Sequence, residues 1–153
     1  MKQFLAILAI TCFLVHSTQS AEVIVFGDSW GTYGRKSFEQ VMSKHGLTVD
    51  NVAIGGTTSE DWAKDKYALK ETVDANPDAK YVWLTIGGND CTPKMIANWD
   101  IDEIRRVVKA DTKVFLDVLF EAHPNIKVVQ FGYDLFDFTN NNLLCSALGR
   151  EMF

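Results

Sequence analysis

The amino-acid sequence predicts an α/β fold built on a parallel sheet. Apolar runs of strand length alternate with longer segments whose apolar residues recur at helical spacing, which is the pattern of strands joined by helical crossovers. Three of these strands are followed by glycine turns, which contain Gly27, Gly55 and Gly87. Because the carboxyl ends of parallel strands meet at one edge of a sheet, the three turns are predicted to lie together.

The first half of the chain is predicted to form a strand at 23–26, a helix at 36–45, a strand at 47–54 and a helix from Ser59 to about residue 75. Gly46 stops the first helix, since glycine favours the residue after a helix end. Ser59 is a typical N-cap, and Glu60 and Asp61 follow it in the first turn, where acidic side chains interact favourably with the helix dipole. The pattern leaves open whether this second helix is continuous or broken.

The second half is predicted to form a strand at 80–86, a long helix capped by Asp100, a strand at 126–131 and a short helix from Asn142. The long helix shows apolar residues at helical spacing as far as Ala122. His123 and Pro124 end it, because proline cannot continue a helix. Alternating strands and helices of this kind favour a parallel sheet with helices on both faces.

The N-terminus has the features of a secretory signal peptide. Lys2 precedes an almost unbroken apolar run at 4–15, and a polar stretch of small residues leads to a cleavage point before Ala21. The apolar run is shorter than the roughly 20 residues that span a bilayer. We therefore predict a signal peptide at 1–20, a single domain at 21–153 and a secreted protein without a stable membrane span. The alternative is a buried N-terminal helix.

Charge and cysteine content limit the partners of the domain. The full chain has 153 residues and a formal net charge of −5, and removal of Lys2 with the leader makes the domain more acidic still. An acidic domain without a basic cluster argues against nucleic acid or an anionic membrane as the main partner. Cys91 and Cys145 remain after cleavage, either as a disulfide or as two free thiols. The oligomeric state is left open.

Each of the three turns carries a group suited to acyl chemistry. Ser29 is a candidate nucleophile once a base removes its proton. Gly56 lets a reacting oxygen approach a backbone N–H without a Cβ in the way, and the Asn89 side chain can donate to an oxyanion. Taken singly, each also fits a structural role, as an N-cap serine or as a turn glycine or asparagine. Their matching positions after three strands favour attack on an ester carbonyl, and Asp28 and Asp90 are predicted to hold the turns through nearby backbone groups.

These residues resemble the blocks of the SGNH hydrolases, also called the GDSL lipase/esterase family. The blocks read Gly27-Asp28-Ser29-Trp30, then Gly56 within residues 51–59, then Gly87-Gly88-Asn89-Asp90. The resemblance runs from about residue 22 to 132. It implies a flavodoxin-like, three-layer α/β/α fold and hydrolysis of small-molecule, lipid or glycan esters through an acyl-serine, with no metal or organic cofactor.

The resemblance also implies roles for individual residues. Ser29 is the nucleophile, and the oxyanion hole comprises the N–H groups of Ser29 and Gly56 with the side chain of Asn89. Trp30 stands where the family commonly has leucine or isoleucine, which is expected to reshape the acyl pocket.

The chain departs from the family at the catalytic base. The family carries Asp-x-x-His near its C-terminus, and this sequence contains no such block. Beyond the leader the only histidines are His45 and His123, both predicted to end helices at the rim opposite Ser29. The family also has a fifth strand and a final helix, so we expect a C-terminally incomplete chain with little or no turnover.

Two other functions are alternatives to the hydrolase. The missing base favours a non-catalytic extracellular binding module with a degenerate esterase cleft. A flavin or nucleotide binder is disfavoured, because Asp28 stands where a phosphate would sit.

Overall fold

A computed structural model describes residues 20–90 and 101–130 and shows an α/β fold with a parallel sheet. The strand order is β2-β1-β3-β4, and every pairing is parallel. The elements are β1 (Val23–Gly27), α1 (Ser29–Lys44), β2 (Val49–Asn51), α2 (Ser59–Lys64), α3 (Ala68–Ala75), β3 (Tyr81–Thr85), α4 (Ile101–Ala122) and β4 (Lys127–Gln130). The fold class predicted from the sequence is confirmed.

One face of the sheet forms the main hydrophobic core. Side chains alternate along each strand, so Ile24 and Phe26 of β1 and Val82 and Leu84 of β3 point to the same face. They pack with residues of three helices, namely Trp62 of α2, Leu69 and Val73 of α3, and Phe115 and Leu119 of α4. The Phe26 ring lies 4.1 Å from the Trp62 ring and 5.9 Å from the Phe115 ring, measured between centroids.

The opposite face of the sheet is covered by α1 within the described residues. Phe38 of α1 packs on Trp83 of β3, with their ring centroids 5.0 Å apart. Helices therefore lie on both faces of the sheet, as the three-layer prediction requires. Val129 of β4 remains 46% exposed.

Several predicted helix boundaries were wrong. The first helix begins at Ser29 instead of residue 36, because the Asp28 side chain caps it by accepting from the Trp30 N–H at 3.1 Å. Two glycines in this segment, Gly31 and Gly34, had weakened the helical pattern. Gly31 is needed for packing, since a Cβ there would lie 2.5 Å from the Ala53 Cβ.

The second helical region and the strands also differ in extent. Thr58, not Ser59, is the N-cap of α2, with the reciprocal hydrogen bonds of a capping box to Asp61. The region is broken into α2 and α3, which selects one of the two predicted alternatives. Strand β2 keeps only three of the eight predicted residues, and the other strands agree within a residue or two.

Some predictions fall outside the described residues. These are the signal peptide apart from Ser20, the Asp100 cap, the helix from Asn142, and both cysteines of the domain. In the part of the chain that is described, no helix has the length and apolar character needed to cross a bilayer.

Candidate functional site

The turn between β1 and α1 places Ser29 at the carboxyl edge of the sheet. Gly27 pairs with Thr85 of β3 and has φ +125°. A Cβ at Gly27 would lie 1.7 Å from the Thr85 carbonyl oxygen, so the two strands approach too closely here for any side chain. The Asp28 N–H donates to the same oxygen at 2.8 Å. The chain then turns directly into the helix whose first residue is Ser29.

Ser29 is half-buried at the N-terminus of α1. No group in residues 20–90 or 101–130 forms a hydrogen bond with its hydroxyl. A helix N-terminus carries a partial positive charge and backbone N–H groups without intrahelical partners. The hydroxyl is therefore available for chemistry beside donors that favour negative charge on a nearby oxygen.

The turn after β2 lies against Ser29. Gly55 is the neighbouring residue, since a Cβ built on it would be 3.8 Å from the Ser29 Cβ. Gly56 follows with φ +88°, a conformation that favours glycine, and a Cβ there would meet no atom within 4 Å. Both glycines are exposed. The backbone beside the serine is thus open to an approaching ligand.

The segment after β3 brings Asn89 to the same place. Residues 88–90 are helical, and the Asn89 side-chain amide donates to the Thr57 carbonyl at 2.9 Å. An amide nitrogen carries two protons, and within the described residues the second one has no acceptor. The structure therefore brings the turns that carry Ser29, Gly56 and Asn89 together at one edge of the sheet, as the sequence predicted.

Thr57 links the three turns and was missed by the sequence analysis. Its hydroxyl lies 3.1 Å from the Gly27 carbonyl and 2.9 Å from the Ile54 carbonyl, and it accepts from the Trp62 indole N–H at 3.0 Å. Its own carbonyl receives the Asn89 amide. A threonine beside two glycines reads as an ordinary turn residue, so no sequence signal marks this role.

Asp90 fixes the third turn to α2. It is buried, and its carboxylate accepts from the Ser59 N–H at 3.0 and 3.1 Å and from the Ser59 hydroxyl at 2.5 Å. The predicted roles of Asp28 and Asp90 in holding the turns through backbone N–H groups are confirmed. Next to this contact, hydrogen bonds from the Thr58 backbone N–H and hydroxyl lower the pKa of Asp61 below its ordinary value of 3.8.

Neither histidine of the described residues is placed to act as the base for Ser29. His45 is the C-cap of α1, at the other end of a 16-residue helix, which is about 24 Å long at 1.5 Å per residue. His123 lies beyond the end of α4 and contacts Asp74 of α3 at 2.8 Å. The third histidine, His16, lies in the predicted leader. The described residues also contain no group of three His, Cys, Asp or Glu side chains placed to hold a metal ion.

Comparison with known proteins supports the fold. No protein-family model matches the sequence, and no curated protein matches it either. Among solved structures, one from Streptococcus pneumonia, described as a platelet activating factor, is 17% identical with a TM-score of 0.53 and covers 76% of this chain and 47% of its own. A gut microbial diltiazem-metabolizing enzyme is 19% identical with a TM-score of 0.53, and the match covers 74% of this chain and 27% of that enzyme.

An acetyl xylan esterase is 18% identical with a TM-score of 0.50 and covers 85% of this chain and 71% of its own. The chain thus spans less than half of the first two proteins. At these identities the likeness establishes the α/β fold shared with these proteins.

Proposed function

We propose that this chain is the nucleophile-bearing part of a secreted serine ester hydrolase of the SGNH type. The observation that carries the proposal is the Ser29 hydroxyl, which has no hydrogen bond within the described residues and lies beside an exposed glycine turn to which the Asn89 amide is hydrogen-bonded. The shared fold adds support, since one of the similar structures is named as an acetyl xylan esterase.

The proposed reaction has two acyl-transfer steps. The Ser29 oxygen bonds to the ester carbonyl carbon while its proton passes to a base and the carbonyl electron pair moves onto oxygen. The N–H groups of Ser29 and Gly56 and the free proton of the Asn89 amide stabilise that oxyanion. The C–O bond to the alcohol then breaks as the base returns the proton to the leaving oxygen. Water repeats the sequence on the acyl-serine and releases the acid.

The base must come from outside the described residues, because His45 and His123 lie far from Ser29. The remaining residues of the domain, 91–100 and 131–153, contain no histidine. Loss of a triad histidine lowers turnover by about 10⁴ to 10⁶. We therefore expect very slow hydrolysis by these 153 residues alone and a histidine supplied by further sequence or a partner chain.

The test is covalent labelling of the full chain with an alkyl fluorophosphonate in the presence of added imidazole, which supplies the missing base, followed by peptide mass spectrometry. We expect an adduct on Ser29 that forms at least tenfold faster than any adduct on another serine. Ser29→Ala should abolish it. Ser43→Ala is the matched control on the same helix, because Ser43 is exposed and its hydroxyl donates to the Gln40 carbonyl. Equal labelling of Ser29 and Ser43 would refute a nucleophilic role for Ser29.

A binding module with the same cleft is the second candidate, and the distance of both histidines from Ser29 favours it. The two functions differ in outcome when an imidazole base is added. A hydrolase lacking its base should show imidazole-dependent ester cleavage above that of the Ser29→Ala variant, whereas a binding module should show none.

Secretion is a separate part of the proposal. Expression in a secreting host followed by N-terminal sequencing should give mature protein starting at Ala21. Recovery of the intact Met1 N-terminus in the cell fraction would argue for the alternative of an uncleaved N-terminal helix.

A further inference from the structure

The side chain of Asn89 is held at the candidate site by one contact. Its amide donates to the Thr57 carbonyl at 2.9 Å, and this is the only hydrogen bond of the side chain within residues 20–90 and 101–130. Asn89 is half-buried, so packing restricts its side chain only in part. The direction of the second amide proton, which is the one available to a ligand, therefore depends on where the Thr57 carbonyl points.

The turn that leads to this carbonyl has little packing of its own. Ile54, Gly55 and Gly56 precede Thr57 and are all exposed, and a Cβ on Gly56 would meet no atom within 4 Å. Glycine has more backbone freedom than any other residue, so two glycines in succession do not fix the direction of the chain. On this side of Thr57 the backbone is therefore held largely by contacts that Thr57 itself makes.

The Thr57 hydroxyl ties this turn to the hydrophobic core. It accepts from the indole N–H of Trp62, which is only 6% exposed and whose ring lies 4.1 Å from the Phe26 ring, centroid to centroid. Its one proton has two acceptors, the Gly27 carbonyl at 3.1 Å and the Ile54 carbonyl at 2.9 Å. The Gly27 carbonyl also accepts from the Ile54 N–H at 2.9 Å, so it keeps a donor without Thr57. The hydroxyl therefore serves to fix Thr57 in place.

We propose that Thr57 is a positioning residue, whose hydroxyl, anchored to the core, sets the direction of the Asn89 amide through the Thr57 carbonyl. Both groups belong to one residue, so the bonds that hold the hydroxyl also restrict the carbonyl. This role requires no contact between Thr57 and the reacting atoms. That the amide serves an oxyanion rests on the proposed function. The fixed direction of the amide is a separate claim, because it requires neither a base nor turnover.

The direct test is hydrogen exchange of side-chain amide protons, measured by NMR on the full chain labelled with nitrogen-15. Thr57→Val removes the hydroxyl and keeps the shape of the side chain. We expect the hydrogen-bonded proton of the Asn89 amide to exchange with water about threefold faster or more in this variant, because its acceptor is less firmly placed. Thr57→Ser retains the hydroxyl and should leave the exchange rate close to that of the unchanged chain.

Thr72 of α3 is the matched control. Like Thr57 it is half-buried, and its hydroxyl donates to a backbone carbonyl, that of Ala68, at 2.9 Å. Its own carbonyl accepts from a side-chain amide, that of Asn76, at 3.0 Å. Thr72→Val should therefore leave the exchange of the Asn89 amide unchanged, and Thr57→Val should leave that of Asn76 unchanged. Equal acceleration of the Asn89 amide by both valines would overturn the proposal.

The link to the reaction is tested by labelling Ser29 with the fluorophosphonate in the presence of imidazole. Loss of one oxyanion donor lowers a rate by about 10² to 10³, so Asn89→Ala should slow labelling by about a hundredfold and Thr57→Val, which only misplaces the donor, by about tenfold. In the Asn89→Ala background, Thr57→Val should then have little further effect, because one residue acts through the other. Independent effects of the two changes would leave Thr57 a structural role only.

Urea unfolding checks that each variant folds. Thr57→Val leaves the indole N–H of Trp62 without its acceptor. The double variant Thr57→Val/Trp62→Phe removes both partners and takes the place of the single variant if that one unfolds. Faster exchange of the Asn89 amide without labelling of Ser29 would retain the positioning role and reject the hydrolase. Labelling of Ser29 with unchanged exchange would retain the hydrolase and reject the positioning role.

Discussion

The sharpest stability prediction concerns Gly27→Ala. The residue has φ +125°, where a non-glycine residue costs about 1–3 kcal/mol. The added Cβ would lie 1.7 Å from the Thr85 carbonyl oxygen, so β1 and β3 must separate by about 1 Å or more. That movement breaks the 2.8 Å bond from the Asp28 N–H and strains its neighbours, at about 1 kcal/mol each. Together these effects should lower the free energy of unfolding by about 3–5 kcal/mol, a large part of a domain's usual stability.

The assay is urea unfolding followed by circular dichroism and tryptophan fluorescence. Gly34→Ala is the matched comparison, since its Cβ meets no atom within 4 Å in the interior of α1. It should raise the free energy of unfolding by about 0.5–1 kcal/mol. The two alanines are therefore expected to shift stability in opposite directions. A loss below about 1 kcal/mol for Gly27→Ala would refute the close approach of the two strands and with it the placement of Ser29.

Two further predictions concern acidic side chains. Asp90→Ala removes the acceptor of the buried Ser59 N–H and the nearer of the two acceptors of the Ser59 hydroxyl, the other being Asp111. Urea unfolding should show a loss of about 2–3 kcal/mol, with a smaller loss for Asp90→Asn, and equal losses would contradict the assignment. Hydrogen bonds from Lys70 and His123 hold the pKa of Asp74 below its ordinary value of 3.8. The ionised Asp74 therefore stabilises the fold at pH values above 3.8, and this stabilisation is lost as the pH falls through the lowered pKa. Asp74→Asn should therefore flatten the acid side of a plot of urea midpoint against pH, and an unchanged slope between about pH 2 and 5 would rule the pairing out.

The parts of the fold that sequence analysis anticipated are those with a local cause. The strands of the core face and the glycine turns follow from apolar runs and from residues that only certain backbone conformations accept. The start of α1 was missed because glycine lowers helical propensity, whereas Gly31 packs so closely on Ala53, in the turn after β2, that a Cβ would not fit. Propensity is local, and a contact between distant segments overrides it.

The candidate site also contains residues that the sequence predicted and one residue whose role depends on contacts between distant segments. Ser29 and Asn89 were found because each follows a strand at an equivalent position. The function of Thr57 depends on the Gly27 carbonyl, which comes within reach of its hydroxyl only after the sheet has formed. Side chains that work through backbone groups of other segments carry no residue-type pattern, so this connection could be seen only in three dimensions.

The strand order has a consequence for synthesis on the ribosome. Strand β1 is made first but lies between β2 and β3, and its last pair joins Gly27 to Thr85. The turn that presents Ser29 therefore lacks its partner strand until translation has passed residue 85 and β3 has left the exit tunnel. Such non-local pairing slows folding. During that interval the edge of β1 that later pairs with β3 has no hydrogen-bonding partner from that strand.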